Sequence, residues 1–365
     1  MNSLTSWLRH RMTMTALVLS AALTGAACTQ EVNRESVALL ARMDITELPD
    51  QALKGQSVKR YMRILQREPC DWDAIYPLAS RFYELGYKRQ AAQAYLYFPH
   101  KCTRSNVALS RAADIFLQLS DFDAATKTVD ELIADSPDYP DYHYQRGQTY
   151  EAARRFDEAL DAYETTIALT DDIATLNGGV FRRTANAYAE LGKYCEAITP
   201  LQTWIGIDPG RNDTADVRSM IERYRKAGNC SAAYASGKGA FRAKATGDVI
   251  LVKASINGVV GNFIVDTGAS LLSVTRDFAK RANMNVMEKS TIRLQTANGV
   301  VTAKRSLADT VALGKISADG VGAVVITEHD NPLGNQIDGL LGQSFLSRFH
   351  VTLTKRELKI EVRGE

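Results

Sequence analysis

Phe263-Ile264-Val265-Asp266-Thr267-Gly268-Ala269-Ser270 is the stretch on which the fold turns. An apolar run of strand type delivers one acid into a turn of small residues. Such an acid can simply cap its turn, accepting nearby backbone N–H groups. It can also be a carboxylate presented for chemistry, and the surrounding context decides between the two.

That context is a series of short apolar or alternating segments. Residues 249–252, 261–265, 291–295, 300–303, 321–326 and 349–353 all read as strands. Asn257-Gly258 and Asn298-Gly299 lie between such strands, and each pair tolerates the positive backbone angles of a tight hairpin. Further on, Ile337-Asp338-Gly339-Leu340-Leu341-Gly342-Gln343-Ser344-Phe345-Leu346 carries two apolar residues followed by a glycine at Leu340-Leu341-Gly342. The C-terminal third is therefore predicted to be an all-β domain.

Upstream the period changes. Over residues 72–226, Ala, Leu and Tyr recur at three- and four-residue spacing, with breaks at Gly, Pro and Asp clusters. Aligning Phe116 with Ala125, Tyr150 with Ala159 and Tyr188 with Ala197 gives offsets of 34 and 38 residues. The middle unit places Gly147, Tyr150, Ala159 and Tyr163 at small and aromatic slots where two helices approach closely. The third unit supplies Leu191-Gly192 and Pro209, and the first supplies Ala113 and Pro137. A degenerate earlier unit has Tyr76, Ser80, Tyr83 and Ala92. The region resembles three to four tetratricopeptide repeats, which implies an all-α solenoid that binds a peptide or partner protein.

The β region resembles the retropepsin-like aspartic proteases. Asp266-Thr267-Gly268 matches their catalytic tripeptide and Thr296-Ala297-Asn298-Gly299 their flap. Leu340-Leu341-Gly342 matches the strand that braces the active-site loop, and residues 349–362 match the terminal strands. The resemblance implies a half-barrel that hydrolyses a peptide held as an extended strand, without metal or organic cofactor. It also implies that Thr267 makes cross-subunit hydrogen bonds and that Gly268 allows close backbone approach. Ala269 stands where pepsin-like enzymes commonly carry a hydroxyl, so activity nearer neutral pH than pepsin's is expected.

Amide hydrolysis by unactivated water requires one carboxylate to take the water's proton and one carboxylic acid to protonate the carbonyl oxygen. Two adjoining Asp residues that share a proton supply both. A second Asp within the chain is not apparent: Asp309-Thr310 continues with Val311, and Asp338-Gly339 lacks the Thr. A homodimer with one Asp266 from each subunit is therefore expected. The competing expectation is a binding scaffold whose protease-like domain dimerises or holds peptides with little turnover. A third is a latent enzyme whose solenoid keeps the half-sites apart until a partner binds.

The N-terminus carries Arg9, His10 and Arg11, an apolar run over residues 15–23, and then Gly25-Ala26-Ala27-Cys28. This reads as an export signal too short to span a bilayer comfortably. Thr24-Gly25-Ala26-Ala27-Cys28 also resembles a bacterial lipobox. Cys28 is then acylated, and Thr29 after it implies outer-membrane sorting. The alternative is cleavage by ordinary signal peptidase with Cys28 incidental. Setting Cys28 aside leaves Cys70, Cys102, Cys195 and Cys230, an even set suited to disulfides outside the cytoplasm. Proximity suggests Cys70 with Cys102 and Cys195 with Cys230, although four cysteines allow three pairings. No zinc-knuckle spacing is present. With 44 basic and 42 acidic residues in 365, the formal net charge of +2 gives no reason to expect nucleic-acid capture.

The predicted organisation is a signal peptide over 1–27, an N-terminal segment and helical cap over 28–71, and helical repeats over 72–230. A linker over 231–247 and the protease-like domain over 248–365 complete it. The expected setting is periplasmic, with outer-membrane attachment only through the lipid. Peptide or protein substrates, a second copy of the chain and a partner on the repeats are the expected contacts.

Overall fold

The computed structural model describes residues 34–230, 235–237, 240–244, 249–296, 299–327, 333–334, 336–354 and 357–362. The signal peptide expected over residues 1–27, Cys28, and the flap residues Ala297 and Asn298 lie outside these. The chain divides into two compact units, one ending at Leu119 and one spanning Ser120–Glu365.

The first unit contains α1 (34–42), α2 (Gln56–Arg67), α3 (Trp72–Glu84), α4 (Lys88–Lys101) and α5 (Asn106–Gln118). The Asp71 carboxylate caps α3 by accepting from the Ala74 N–H at 3.0 Å, which satisfies one of the donors a helix start leaves open. Ile75, Leu78 and Phe82 of α3 and Ala91 and Ala92 of α4 are fully buried. Ser80, in the slot where the repeat wants a small residue, sits 2.7 Å from the Tyr95 hydroxyl of α4. The Cys70–Cys102 disulfide joins the chain just before α3 to the end of α4.

The second unit begins with α6 (Phe122–Asp135), α7 (Pro140–Ala152), α8 (Phe156–Leu169), α9 (Gly178–Glu190) and α10 (Tyr194–Ile207). The short α11 (Pro209–Asn212) and α12 (Ala215–Ala227) follow, and Cys195–Cys230 ties the start of α10 to the chain after α12. Gly147 explains the repeat's glycine: a Cβ there would lie 2.4 Å from the Tyr163 ring of α8. The turns after α3, α5, α7 and α9 each contain a residue of positive φ, namely Gly86, Ser120, Arg154 and Gly192. These are 34, 34 and 38 residues apart, so the repeat is written in the backbone as well as in the side chains. The longer last interval contains the 3₁₀ turn Ile173–Thr175 between α8 and α9.

The remaining elements are β1 (Ser236–Gly237), β2 (Ala240–Lys244), β3 (Leu251–Ile256), β4 (Val259–Val265), β5 (Leu272–Thr275) and α13 (Arg276–Arg281). After them come β6 (Asn285–Val286), β7 (Ile292–Thr296), β8 (Gly299–Leu313), β9 (Ile316–Ile326) and β10 (Gly339–Leu341). Helix α14 (Gln343–Leu346), β11 (Phe349–Leu353) and β12 (Glu357–Val362) end the chain. Hydrogen bonding runs β9-β5-β10-β4-β3-β8, and β8 pairs again with β9, so these strands close into a barrel-like sheet. Helical repeats followed by a β domain of retropepsin type are the architecture the sequence predicted.

Asn257 and Gly258, at φ 49° and 83°, turn β3 into β4 with Ile256 opposite Val259, as the dipeptide requires. At the second hairpin the β7–β8 ladder is described up to the pair Thr296 and Gly299. The stretch read as a linker supplies β1, which pairs with β9, and β2, which pairs with β12 in a separate three-stranded sheet. The barrel core gathers Val252, Ile256, Phe263, Val274, Phe278 and Leu341, and Phe263 meets Phe278 edge-on with ring centroids 5.2 Å apart.

Candidate active site

Asp266 directly follows β4, whose Phe263 side chain is buried in the core. Strand β10 runs parallel to β4 with Leu341 opposite Val265, and the Asp266 N–H donates to the Leu341 carbonyl at 3.1 Å. Beyond Asp266 the chain curls back over its own carboxylate. Gly268 N–H and Ala269 N–H donate to Asp266 Oδ1 at 2.9 and 3.2 Å. Two amides on one oxygen fix the carboxylate's orientation.

The loop is held from behind. Gln343 donates from its side chain to the Thr267 carbonyl at 2.7 Å and from its backbone to the Ala269 carbonyl at 2.8 Å. Ser344 N–H reaches the Ser270 carbonyl at 3.0 Å, while Ser344 Oγ accepts from Leu272 N–H at 2.7 Å. This closeness demands Gly342, because a Cβ there would lie 2.3 Å from the Leu271 carbonyl oxygen and 2.6 Å from that of Ala269. Thr267 and Gly268, by contrast, are exposed.

Leu340, Leu341 and Gly342 thus lie beside and behind the turn formed by Asp266, Thr267 and Gly268. Thr296 and Gly299 close the β7–β8 hairpin, where Thr296 Oγ1 donates to the Gly299 carbonyl at 2.7 Å. The other two acids the sequence offers are placed elsewhere. Asp338 accepts from Asn262 N–H at 2.9 Å and pairs with Arg281, so it joins β4 to α13; Asp309 is exposed on β8. The cysteines pair Cys70–Cys102 and Cys195–Cys230. Among the described residues no group of three or more His, Cys, Asp or Glu is arranged to hold a metal ion, and no helix is long and apolar enough to cross a membrane.

Sequence reading missed two residues here. Gln343, given no role from the sequence, holds the loop at two points. Arg348 is 2% exposed, and its guanidinium donates to the carbonyls of Ser344, Asp319 and Gly320 at 3.1, 2.6 and 2.7 Å. It ties α14 to β9. The only available signal was a lone Arg between Leu346 and Phe349.

Residues 252–345 match the family model for aspartyl protease, and residues 110–172 match that for the tetratricopeptide repeat. The barrel is therefore an aspartyl-protease-like domain joined to helical repeats. Among solved structures, a retropepsin-like aspartic protease from Rickettsia conorii is 24% identical, with a TM-score of 0.28, and the match covers 34% of this chain and 93% of that one. MamA protein is 19% identical, with a TM-score of 0.38, over 50% of this chain and 97% of its own. A thermophilic TPR protein of Thermus thermophilus is 21% identical, with a TM-score of 0.33, over 54% and 97%. No curated protein matches the chain.

Proposed function

We propose that the protein is an aspartic endopeptidase whose complete site forms when two chains each contribute Asp266. The observation that carries this reading is the Asp266 loop itself. Its carboxylate is oriented by two backbone amides and the loop is braced from β10 and α14, while Thr267 and Gly268 face outward. A structural Asp that merely capped its turn would not need this bracing.

In the dimer one carboxylate accepts a proton from water as the oxygen attacks the scissile carbonyl. The other, protonated, donates to the carbonyl oxygen, and collapse of the tetrahedral adduct returns a proton to the departing amine. The pair holds one proton between two like charges and titrates as a unit. Ala269 contributes its N–H but no hydroxyl, so the working pH is nearer neutral than pepsin's. A pH–rate optimum below about 3 would contradict this.

The substrate is a polypeptide bound as an extended strand between the Asp266 loop and the β7–β8 hairpin. The helical repeats present it or bind a partner. The export-type N-terminus and two disulfides support a periplasmic setting, and Cys28 supports a lipid anchor on the outer membrane. Cleavage of unfolded casein by the full chain, compared with Asp266→Asn, tests the chemistry; sedimentation tests the dimer. Equal cleavage by wild type and Asp266→Asn refutes the peptidase reading, and a cellular effect that survives the substitution favours the binding scaffold.

A further inference from the structure

The β7–β8 hairpin is not free at its root. Strand β7 packs with β8 and β9 in a small apolar cluster of Ile292, Leu294, Val301, Ala303, Val324 and Ile326, and Ala168 of α8 and Leu271 of the active-site loop pack against it. Two arginines reinforce the contact. Arg293, on β7, places Nε 2.8 Å from Asp138 Oδ1 in the connection between α6 and α7. That connection is fixed by His143, whose Nε2–H donates to the Pro137 carbonyl at 2.7 Å. Burial pushes His143 down to about 4, so the ring is neutral and keeps this role near pH 7.

Arg305 is the stronger anchor. It lies on β8 two residues beyond Ala303, the partner of Ile292 where the hairpin ladder ends. Its backbone is tied on both sides: Arg305 N–H donates to Ser290 Oγ at 3.1 Å, and its carbonyl accepts from Met287 N–H at 2.8 Å. Its side chain is 5% exposed and points onto α8. There Nε lies 2.5 Å from Asp161 Oδ1, and Nη2 donates to the Asp157 carbonyl at 3.1 Å. Glu164 Oε2 is 3.8 Å from Nε, and Ser290 Oγ donates to Asp161 at 2.9 Å. Asp157, Asp161 and Glu164 are spaced i, i+4, i+7, which puts three acids on one helical face. Like charges so aligned repel, and a single buried cation answers them. Tyr188 of α9 closes the cluster by donating to Glu164.

Burying so much charge at a junction costs more than an apolar seam of the same shape. Glu164 Oε2 and Arg305 Nη1 are moreover buried without a hydrogen-bond partner. Cavities of about 40 and about 30 Å³ flank Glu164, and both reach Leu271, five residues after Asp266. Charge retained at such cost, at the root of the hairpin facing the active-site loop, fits a role in placement better than one in stability.

We propose that Arg305 is a positioning residue: by locking the root of the β7–β8 hairpin to α8, it sets the hairpin over Asp266, so the helical repeat acts on cleavage through this residue. The inference rests on the peptidase reading. Its test uses the full chain with Arg305→Met and Arg305→Lys, measuring casein cleavage and amide hydrogen exchange together.

Arg305→Met lowers kcat/KM by between about tenfold and a hundredfold, the scale of effect of a misplacement of about 1 Å, with KM raised more than kcat is lowered. The pH–rate profile keeps its shape. Exchange accelerates in residues 292–296 and 299–304 but not in β4 or β10, and Arg305→Lys recovers part of both effects. Wild-type KM, or acceleration spread evenly through the barrel, overturns the proposal. If Arg305→Met does not fold, Asp161→Asn weakens the same pair and is read by the same two measurements. If wild type and Asp266→Asn are equally inactive, the peptidase reading has failed, and hairpin exchange alone decides whether Arg305 is a clamp.

Discussion

The Asp266 loop and the hairpin root are both held from behind, but by opposite means. The loop is held by backbone: Leu341, Gln343 and Ser344 reach it through main-chain or short polar bonds, and Gly342 leaves no room for a Cβ. The root is held by long side chains, Arg293 and Arg305, meeting acids on the helical repeats. Backbone contact of this kind is rigid and insensitive to ionisation, whereas a charge cluster depends on pH and on side-chain length. The carboxylate proposed to react sits in the backbone-held part, and the hairpin proposed to cover substrate sits in the part held by side chains.

Asp266→Asn should have the largest effect on function, a loss of cleavage of at least about a thousandfold with the fold unchanged by circular dichroism. Retained activity would remove Asp266 from the chemistry and leave the comparison without its rigid half. Gly342→Ala attacks the bracing directly. Forcing a methyl against two carbonyl oxygens should destabilise the second unit by about 3 kcal/mol or more in denaturant melts. Asp338→Asn is a milder probe of the same region, because its Arg281 partner is half exposed. A loss of about 1 kcal/mol with Asp266-dependent cleavage intact is expected, and would separate the structural acid from the reacting one.

A pH-dependent effect is predicted in the root. Desolvation raises Glu164 from the usual carboxylate range to about 7, against the opposing pull of Arg305 and Tyr188; Asp161 adds to the rise and Lys193 opposes it. Between about pH 4.5 and 7 the folded state therefore holds a proton that the unfolded chain has released, and stability falls as pH rises through that window. Glu164→Gln should flatten that slope in melts across the range. An unchanged slope would mean that another group carries it.

The loop was legible in the sequence because its parts are local patterns: an apolar strand before Asp266, and paired apolar residues with glycine at Leu340-Leu341-Gly342. Each pattern states which backbone must approach which, and the repeat spacing was legible for the same reason. The root was not. Nothing in the sequence sets Asp157 and Asp161 apart from other acids on a helix, and Arg305 lies beyond the strand read over residues 300–303. They come together only because α8 packs on β7 across more than a hundred residues of chain. Gln343 and Arg348 were missed for a similar reason, since one polar residue in an apolar stretch does not announce its acceptor.

The pairing of β1 with β9 and of β2 with β12 has a practical consequence for anyone wishing to transplant the aspartyl-protease-like domain. A fragment cut at residue 248 would discard both strands and bare the backbone of β12 along one side, inviting adventitious pairing and precipitation. The charged root of the hairpin would also lose its counterparts on α8 if the repeats were removed altogether. A cut at the apparent linker would therefore divide elements that lie within one compact unit, Ser120–Glu365, which also contains helices α6 to α12.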